Sequence, residues 1–230
     1  MKLKILEVID RVHRVRTLRF EKPEGFDFYP GQFALIAMEI NGENVKRAYS
    51  YASSPTEPYI DLTIKKVEGG KMSPKLYDSK PGDFLEVKGP YGRFYLDETH
   101  MHNIVLVCGG TGVAPGRSIV KYVVDKKLDH VKVSLFVGAR RPQELLYKEE
   151  FEKIHQEHHN IGIFFTVNSA DNQYWPWHQG VFTLDFIREC AHQLIGPIYY
   201  LCGPPNMVQD LMHDLEEGGV PPKNIHTDQW

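Results

Sequence analysis

The pattern of apolar residues changes near residue 100, and this change is the strongest constraint on how the chain can fold. Before that point, short segments alternate apolar and polar residues with a period of two, which predicts β-strands. Turn-forming pairs such as Pro30-Gly31 and Pro81-Gly82 separate these segments. The predicted strands cover residues 4–8, 15–20, 32–38, 59–67 and 84–88. Short strands at this spacing are typical of an antiparallel barrel or sandwich.

Beyond residue 103 the predicted strands alternate with helices. The predicted strands cover residues 103–108, 132–138, 161–167 and 198–202, and the predicted helices cover 115–126, 144–157, 184–193 and 207–217. Such alternation predicts a parallel sheet covered by helices on both faces. The sequence therefore predicts two domains, with the boundary in residues 97–102.

Length and charge exclude several classes of protein. A chain of 230 residues has room for one large domain or two small ones. Its 27 basic and 30 acidic residues give a net charge of −3, so no overall positive field exists to bind nucleic acid. The longest apolar runs, residues 104–108 and 198–202, are far shorter than the roughly 20 residues of a membrane-spanning helix, so we expect no membrane span.

The start of the sequence and its cysteines favour a cytoplasmic protein. The first residues alternate apolar and charged side chains and lack the continuous apolar core of a secretory signal. The cysteines Cys108, Cys190 and Cys202 are odd in number and far apart, which argues against a disulfide framework. They are also too few for a four-cysteine iron–sulfur cluster. We expect any such cluster to belong to another polypeptide.

A glycine-rich segment, residues 108–115 (CGGTGVAP), lies between a predicted strand and a predicted helix. Glycines allow close approach of a ligand, and the free amides at a helix start favour a pyrophosphate. The spacing matches neither the GxGxxG dinucleotide motif nor a Walker loop. A phosphate-binding loop and a purely structural turn both remain open on this motif alone.

A second candidate site lies in the β-rich half, in the sequence Arg47-Ala48-Tyr49-Ser50. Arg47 and Tyr49, two residues apart, project to one face of a strand, and Ser50 projects to the other unless the strand bends. A flavin dinucleotide needs a cation for its pyrophosphate, a flat apolar surface for its ring and a hydrogen-bonding group near its reactive nitrogen. An ordinary strand end with a half-exposed tyrosine is the alternative.

Two further motifs follow along the chain. Residues 70–73 (GKMS) precede Pro74, and we expect Ser73 to cap a short helix whose amides could hold a second phosphate. Residues 202–205 (CGPP) follow the last predicted core strand, at the edge where parallel sheets bind ligands. A hairpin turn and a small buried thiol are the respective structural alternatives.

Together and in this order, the four motifs and the aromatic residue at position 230 resemble the ferredoxin-NADP reductase superfamily, over essentially the whole chain. The resemblance implies that residues 1–98 form a six-stranded antiparallel β-barrel that binds flavin. It implies that residues 103–230 form an α/β domain for the nicotinamide nucleotide, with a five-stranded parallel sheet.

The resemblance also assigns flavin-binding roles. Arg47 would bind the pyrophosphate, Tyr49 would stack on the isoalloxazine ring, and Ser50 would hydrogen-bond near flavin N5. Thr63 and Lys65 match the segment whose backbone edges the pyrimidine end of the ring. The loop residues Gly70, Met72 and Ser73 match the loop at the adenylate-side phosphate, so FAD is favoured over FMN.

On the nicotinamide side, the resemblance assigns two loops and the end of the chain. The residues that would bind the pyrophosphate and ribose, or lie beside the hydride-transfer centre, are Gly110, Thr111, Gly112, Cys202, Gly203 and Pro204. Asp228-Gln229-Trp230 corresponds to the Glu-x-Tyr ending of plant-type reductases. Trp230 would therefore cover the flavin face, and Asp228 would assist proton or electron exchange. Ser50 and Cys202 would orient the reacting groups.

The choice between NADH and NADPH depends on the groups that meet the adenosine ribose. In the family that the chain resembles, NADPH users tend to place Ser and Arg just after the third strand of this domain, where they hold the 2′-phosphate. Residues 167–171 correspond to this segment and offer Ser169, no arginine and a repelling carboxylate, Asp171, which favours NADH. Arg140 and Arg141 follow the preceding strand, and either could pair with a phosphate. We predict a modest preference for NADH.

Four functions are compatible with these features. The first is an NAD(P)H-dependent reductase with bound FAD that serves a separate ferredoxin, flavodoxin or oxygenase component, or a small-molecule acceptor. The others are a reductase of free flavin, a flavoprotein subunit of a larger electron-transfer complex, and a nucleotide-binding sensor without turnover. The loop at residues 70–73 and the motif at 202–205 favour the first.

Three conspicuous features carry less weight in the prediction of function. The helical spacing of His155, His158 and His159 would suit a metal, but a charged helix end is more often simply solvated, so we predict no metal site. The same holds for the linker at residues 99–102. The aromatic segment at residues 174–177 either packs on the nucleotide domain or contacts a partner or nucleotide.

Overall fold

Two β-sheets organise the chain, one in each half of the sequence. The computed structural model describes residues 1–97, 102–171 and 173–229. One sheet is antiparallel and the other is parallel, as the sequence predicts. The predicted domain boundary at 97–102 falls between the two sheets, and residues 98–101 of that segment lie outside the described residues.

The first sheet is a six-stranded antiparallel barrel. Its strands are β1 (Lys2–Val12), β2 (Val15–Glu21), β3 (Phe33–Ile40), β4 (Glu43–Ser50), β5 (Tyr59–Lys65) and β6 (Phe84–Tyr91). They are hydrogen-bonded in the order β4-β3-β6-β1-β2-β5. The two edge strands meet where Tyr51 forms an isolated antiparallel bridge with Leu62. Alternate side chains of every strand fill the interior, which includes Ile5, Leu18 and Ile36.

The second sheet contains six parallel strands. They are β7 (Asn103–Gly109), β8 (Lys132–Ala139), β9 (Ile161–Val167), β10 (His178–Gln179), β11 (Ile198–Gly203) and β12 (Ile225–Gln229), in the order β10-β9-β8-β7-β11-β12. The resemblance implied five strands, and the additional one is the two-residue strand β10 at the sheet edge. Because the strand order reverses between β7 and β11, the carboxyl ends of these two strands flank a topological switch point.

Helices cover both faces of this sheet. The helices of the chain are α1 (Ser73–Tyr77), α2 (Val113–Asp125), α3 (Lys148–Glu157), α4 (Leu184–Cys190) and α5 (Pro205–Glu217). Ile104 and Leu106 of β7 pack with α2 and α3, whereas the alternating residues Val105 and Val107 pack with α4 and α5. This period-two alternation of wholly apolar residues explains why β7 reads as a continuous hydrophobic run.

Two helix predictions need correction. Helix α3 begins at Lys148 rather than at residue 144, because Tyr147 before it has left-handed backbone angles (φ 59°, ψ 21°). Ser73 is the first residue of α1 and does not cap it from outside, since no side-chain cap is formed there. The Ser73 hydroxyl instead accepts a hydrogen bond from the backbone amide of Val67, which fixes the loop before the helix.

The barrel packs on the face of the second sheet that carries α2 and α3. Val15, Ala52, Phe94 and Leu96 of the barrel half share one apolar core with that face. Arg117 of α2 donates a hydrogen bond to the carbonyl oxygen of Ala52. The two halves therefore share both apolar and polar contacts, and these contacts position the clefts between them.

The structure also bears on the predictions about a membrane span, a metal site and the aromatic segment. In the described ranges, no helix is long and apolar enough to cross a membrane, and no group of three or more metal-ligating side chains occurs. In the segment at 174–177, Trp175 and Trp177 pack against the core of the second half, whereas the Tyr174 side chain is exposed.

Candidate functional site

Two clefts lie side by side between the barrel and the parallel sheet. The first has a volume of about 410 Å³ and is lined mainly by β4, β5 and the loop before α1. Its lining residues are Phe33, Arg47, Ala48, Tyr49, Ser50, Thr63, Lys65, Val67, Gly70, Lys71, Met72, Ser73, Thr111, Ala114 and Asp228. All eight barrel residues predicted to bind flavin are in this set.

The end of β4 brings Arg47, Tyr49 and Ser50 to the same cleft. Strand geometry alone would point Ser50 to the opposite face from Tyr49. The chain bends immediately afterwards, because the Tyr51 amide donates to the carbonyl oxygen of Gln32, just before β3, while Tyr51 also bridges to Leu62 on β5. This crossing from one barrel edge to the other allows consecutive residues to line one cleft.

The polar groups of this segment suit an anionic aromatic ligand. The Arg47 guanidinium is exposed and donates to the carbonyl of Lys46, and it has no carboxylate partner in the described part of the chain. Tyr49 is half-buried, and burial raises the pKa of its phenol to about 12, against the opposing effect of the Arg47 charge. Tyr49 therefore remains a neutral aromatic surface beside an uncompensated cation.

The loop before α1 closes the far end of the first cleft. Gly70 leaves no room for a side chain, because a Cβ atom there would lie 3.0 Å from both the Ser73 Oγ and the Val67 carbonyl oxygen. Lys71 forms an ion pair with Glu43 of β4, at 2.7 Å between Nζ and Oε2. The loop is therefore held against β4, with Met72 buried beneath it.

Thr63 and Lys65 of β5 differ in where their side chains bond. The Thr63 hydroxyl shares hydrogen bonds with the Tyr147 hydroxyl and, at 3.0 Å, with the Thr17 hydroxyl. Thr63 thus uses its side chain within the protein, and the prediction that its backbone edges the flavin ring stays a prediction. Lys65 is exposed and lines both clefts.

The second cleft, of about 610 Å³, lies at the carboxyl ends of the parallel strands. It is lined by Val12, His13, Arg14, Val15, Lys65, Gly109, Gly110, Thr111, Gly138, Ala139, Arg140, Arg141, Gln143, Glu144, Leu146, Thr166, Asn168, Gly180, Val181, Phe182, Pro204 and Met207. Gly110 has a positive φ of 56°, and the space around its missing side chain is open. Such a position suits close approach of a ligand to backbone amides.

Three predicted residues of this half lie behind the cleft wall. A Cβ atom on Gly112 would lie 2.4 Å from the Cys202 carbonyl oxygen, so glycine is required there by the contact between the α2 turn and β11. Gly203 has a φ of 155° and is packed against Gly109 and Met207. Cys202 is fully buried and lines neither cleft. The glycine motif therefore combines a ligand-facing position, Gly110, with structural ones.

The two arginines at the outer end of the second cleft differ in their ion pairing. Arg141 forms an ion pair with Asp171, at 3.1 Å between Nε and Oδ2, and Ser169 bonds the other oxygen of that carboxylate. Arg140 is exposed and has no ion-pair partner within residues 1–97, 102–171 and 173–229. Asp171 thus already compensates one of the two guanidinium groups.

The C-terminal strand reaches the first cleft. Asp228 on β12 lines this cleft and also a neighbouring cavity of about 250 Å³ that contains Arg93 and His226. Burial raises the pKa of the Asp228 carboxyl above its usual value. Trp230, predicted to cover the flavin face, lies outside the described residues.

Several residues in these clefts are not marked by any sequence motif. The turn joining β1 and β2 brings Val12, His13, Arg14 and Val15 from the barrel into the second cleft. No motif marks this turn, because its position depends on how the two halves pack together. Met207, in the first turns of α5, follows the 202–205 motif closely and could have been included with it.

Comparison with known proteins agrees with this arrangement. Residues 2–95 match the family model of the oxidoreductase FAD-binding domain, and residues 106–213 match that of the oxidoreductase NAD-binding domain. The ferredoxin–NADP reductase B of Sorangium cellulosum is 32% identical over 227 residues, which cover 94% of this chain and 91% of that protein.

The chain belongs to the ferredoxin-NADP reductase superfamily. Another member, the glycine betaine monooxygenase reductase subunit of Pseudomonas aeruginosa, is 29% identical over 233 residues, covering 99% of this chain. The chain spans 63% of the length of that relative. The structure of the cytochrome b5 reductase domain of Ulva prolifera nitrate reductase superposes with a TM-score of 0.87, at 26% identity over 99% of this chain and 96% of that one.

The two clefts fit the cofactors of this superfamily. Both volumes fall within the roughly 300–1,000 Å³ that is typical of ligand pockets. The first cleft contains a guanidinium group, a neutral aromatic ring and a hydroxyl group, which are the kinds of group that FAD requires. The second supplies the open backbone at Gly110 and the cations Arg140 and Lys65 for a dinucleotide.

Proposed function

We propose that the protein is an NAD(P)H-dependent flavoprotein reductase that passes electrons to a separate redox protein. A bound FAD would supply the chemistry that couples a two-electron hydride donor, the dihydronicotinamide, to a one-electron acceptor. The main task of the protein is then to hold two rings in near-contact and to exclude water.

The observation that carries this proposal is that the two clefts share a wall. Lys65 of the barrel and Thr111 of the nucleotide domain line both of them. A flavin in the first cleft and a nicotinamide in the second would therefore meet beside these two residues. Hydride transfer requires such contact, whereas simple binding of two nucleotides does not.

The residues of the first cleft receive roles from their chemistry. Arg47 would hold the pyrophosphate of FAD, Tyr49 would stack on the ring, and Ser50 would hydrogen-bond near N5. The loop of Gly70, Met72 and Ser73 would hold the adenylate side. This loop supports FAD as a bound cofactor, because free flavin without an adenylate would leave that end of the cleft empty.

The residues of the second cleft and of β12 complete the assignment. Gly110 and Thr111 would bind the pyrophosphate and ribose of the nicotinamide nucleotide, and Arg140 and Pro204 would contact its two ends. Gly112, Cys202 and Gly203 would support this loop from behind, with Cys202 orienting the groups at the reaction centre. Asp228 would assist proton or electron exchange, and Trp230 would cover the flavin face.

We propose NADH as the preferred donor. The Asp171 carboxylate at the adenosine end would repel a 2′-phosphate, and its ion pair already occupies Arg141. Arg140 provides the one counter-argument, because its exposed guanidinium group could pair with a phosphate.

For the acceptor, we propose a ferredoxin or an oxygenase component. Relatives named as reductase components of a glycine betaine monooxygenase and of a naphthalene dioxygenase system support this class of acceptor. The chain has three cysteines, too few for a four-cysteine iron–sulfur cluster, which supports an acceptor that carries its own metal centre.

Anaerobic stopped-flow mixing of the FAD-loaded protein with NADH, and separately with NADPH, tests the proposal. We expect rapid bleaching of the flavin absorbance by NADH, followed by reoxidation with an iron–sulfur ferredoxin. Arg47→Ala should lose bound FAD, whereas its neighbour Lys46→Ala, outside the cleft, should retain it. A flavin that stays oxidised with both donors would contradict the proposal and favour a nucleotide sensor.

Reduction of free flavin is the second candidate function. It would be favoured if the purified protein loses its yellow colour on gel filtration and oxidises NADH only when flavin is added. The first proposal predicts the opposite result, with FAD retained. A flavoprotein subunit of a larger complex would be indicated by a partner that copurifies in fixed ratio.

A further inference from the structure

Tyr147 connects the walls of the two clefts. Its predecessor Leu146 lines the second cleft, and its own hydroxyl group shares a hydrogen bond with Thr63, which lines the first. The Tyr147 side chain is buried, although it belongs to the nucleotide domain and its hydroxyl partners belong to the barrel. This single side chain therefore spans the boundary at which the two rings would meet.

The hydroxyl group of Tyr147 is the end of a chain of hydrogen bonds. Thr63 shares a hydrogen bond with Thr17 on the neighbouring strand, and Thr17 lies 3.4 Å from the Tyr147 hydroxyl. Arg11 donates from Nε to the Thr17 hydroxyl at 2.9 Å. Three hydroxyl groups from two domains are thus fixed relative to one another by a charged donor.

The ring of Tyr147 is fixed as firmly as its hydroxyl group. The Arg11 guanidinium carbon lies 4.8 Å from the ring centre, and that of Arg117 lies 5.2 Å from it. One of these cations belongs to the barrel and the other to α2. Cation–π contacts of this kind favour one ring position between the two domains.

The backbone of Tyr147 also shows that its position is imposed by the surrounding structure. Its φ of 59° lies in the left-handed region, which residues other than glycine and asparagine rarely adopt. Helix α3 begins at the next residue, Lys148. The Tyr147 ring packs edge-on against Phe151 of α3, while its hydroxyl group reaches Thr63 and Thr17 of the barrel.

We propose that Tyr147 is a positioning residue that sets the approach of the nicotinamide ring to the flavin ring. By fixing Leu146 relative to Thr63, it would fix one cleft wall relative to the other. Tyr147 itself lines neither cleft, so its effect would be on the geometry of hydride transfer. This inference rests on the proposed reductase function and adds a residue that no motif identifies.

The test compares two hydride donors in the FAD-loaded full-length protein. NADH is held by the nucleotide domain, whereas N-benzyl-1,4-dihydronicotinamide lacks the adenosine and pyrophosphate that this domain binds. Tyr147→Phe removes the hydroxyl group and keeps the ring. We expect flavin reduction by saturating NADH to slow about tenfold, within the ~100-fold that a 1 Å misplacement can cause. Reduction by the small donor should be unchanged.

Tyr200→Phe is the matched control. Tyr200 is also buried and also donates a hydrogen bond across the domain boundary, to the Tyr95 carbonyl oxygen at 3.1 Å, but it lines neither cleft. It should leave both reduction rates within about twofold of the wild type. Thr17→Val is a second variant, which weakens the same hydroxyl chain if Tyr147→Phe fails to fold. It should give the same pattern as Tyr147→Phe with a smaller change.

The outcomes separate this inference from the proposed function. If NADH does not reduce the wild-type flavin, the reductase proposal itself fails. If NADH reduces the wild type and the Tyr147→Phe and Thr17→Val variants equally fast, the positioning role is wrong. It is also wrong if both donors slow equally or if Tyr200→Phe slows NADH as much, because either result would indicate a general loss of structure.

Discussion

Arg117 and Glu150 form a two-point ion pair: the Nε and Nη2 atoms of Arg117 each lie 2.8 Å from an oxygen of the Glu150 carboxylate. Arg117 is buried, and its third nitrogen donates to the Ala52 carbonyl oxygen across the domain boundary. The pair therefore orients a buried cation so that it can bond to the barrel.

We expect Glu150→Ala to destabilise the protein by about 2 kcal/mol. Breaking a buried pair typically costs about 3–5 kcal/mol, because it leaves an uncompensated charge. The smaller value reflects the partial exposure of Glu150 and the remaining contact of Arg117 with Glu57 at 3.3 Å. Chemical denaturation measures the difference. Glu149→Ala, at an exposed neighbouring position, is the control, and equal losses in both variants would contradict the expectation.

Gly112→Ala should mainly lower folding stability, whereas Gly110→Ala should mainly weaken NADH binding. At Gly112 the new Cβ atom would lie 2.4 Å from the backbone oxygen of Cys202, so we expect a loss of at least about 3 kcal/mol in folding stability. At Gly110 the space is open, and the left-handed backbone should cost only about 1–2 kcal/mol.

Thermal unfolding and NADH titration of both variants check this pair. Gly110→Ala should fold and bind NADH more weakly, because the methyl group would enter the second cleft. A stable Gly112→Ala protein, or unchanged NADH affinity in Gly110→Ala, would show that the two glycines have been assigned the wrong roles.

Asp171→Asn should improve the use of NADPH. The substitution removes the repelling charge and releases Arg141, while asparagine tolerates the left-handed backbone at this position (φ 49°). We expect kcat/KM for NADPH to rise about tenfold, equivalent to one charge-assisted contact of about 1.4 kcal/mol. Steady-state kinetics with both donors provide the measurement. The gain should disappear in the triple variant that combines Asp171→Asn with Arg140→Ala and Arg141→Ala, and its persistence there would exclude these arginines as its cause.

Asp228→Asn should change how stability depends on pH. Burial raises the pKa of Asp228 in the folded protein, so the folded state holds this proton more tightly than the unfolded chain. The contribution of Asp228 to folding stability is therefore greatest at low pH. It falls as the pH rises from the pKa of about 3.9 in the unfolded chain through the higher pKa in the folded protein.

The variant lacks this titration, so its melting temperature should exceed that of the wild type at neutral pH. The difference should shrink as pH falls towards 4. Melting curves across this range give the comparison, with Asp214→Asn on the exposed face of α5 as control. A difference that does not depend on pH would contradict the role of Asp228 protonation.

The sequence was sufficient to predict the architecture, because each half has a strong local pattern of apolar residues. Alternation in the first hundred residues and continuous apolar strands such as β7 reflect burial on one face or on both. The barrel residues of the first cleft were also accessible, since Arg47, Tyr49 and Ser50 are adjacent in sequence and need only one bend to share a surface.

The remaining features depend on contacts between distant residues. The left-handed backbone of Tyr147 interrupts a pattern that reads as one helix from residue 144, because its hydrogen-bonding partners lie far away in the barrel. Strand β10 is too short to give a periodic signal. The motif at residues 108–115 does not distinguish Gly110, which faces a cleft, from Gly112, which faces Cys202, because only the packing of β11 separates them.

Because of the turn between β1 and β2, the two lobes cannot be recombined with those of a related enzyme as independent parts. A hybrid enzyme that joined this barrel to the dinucleotide lobe of a relative would bring His13 and Arg14 along with it, and would place them against a foreign nucleotide pocket. In such recombinants, donor selectivity would follow both parents rather than the grafted lobe alone.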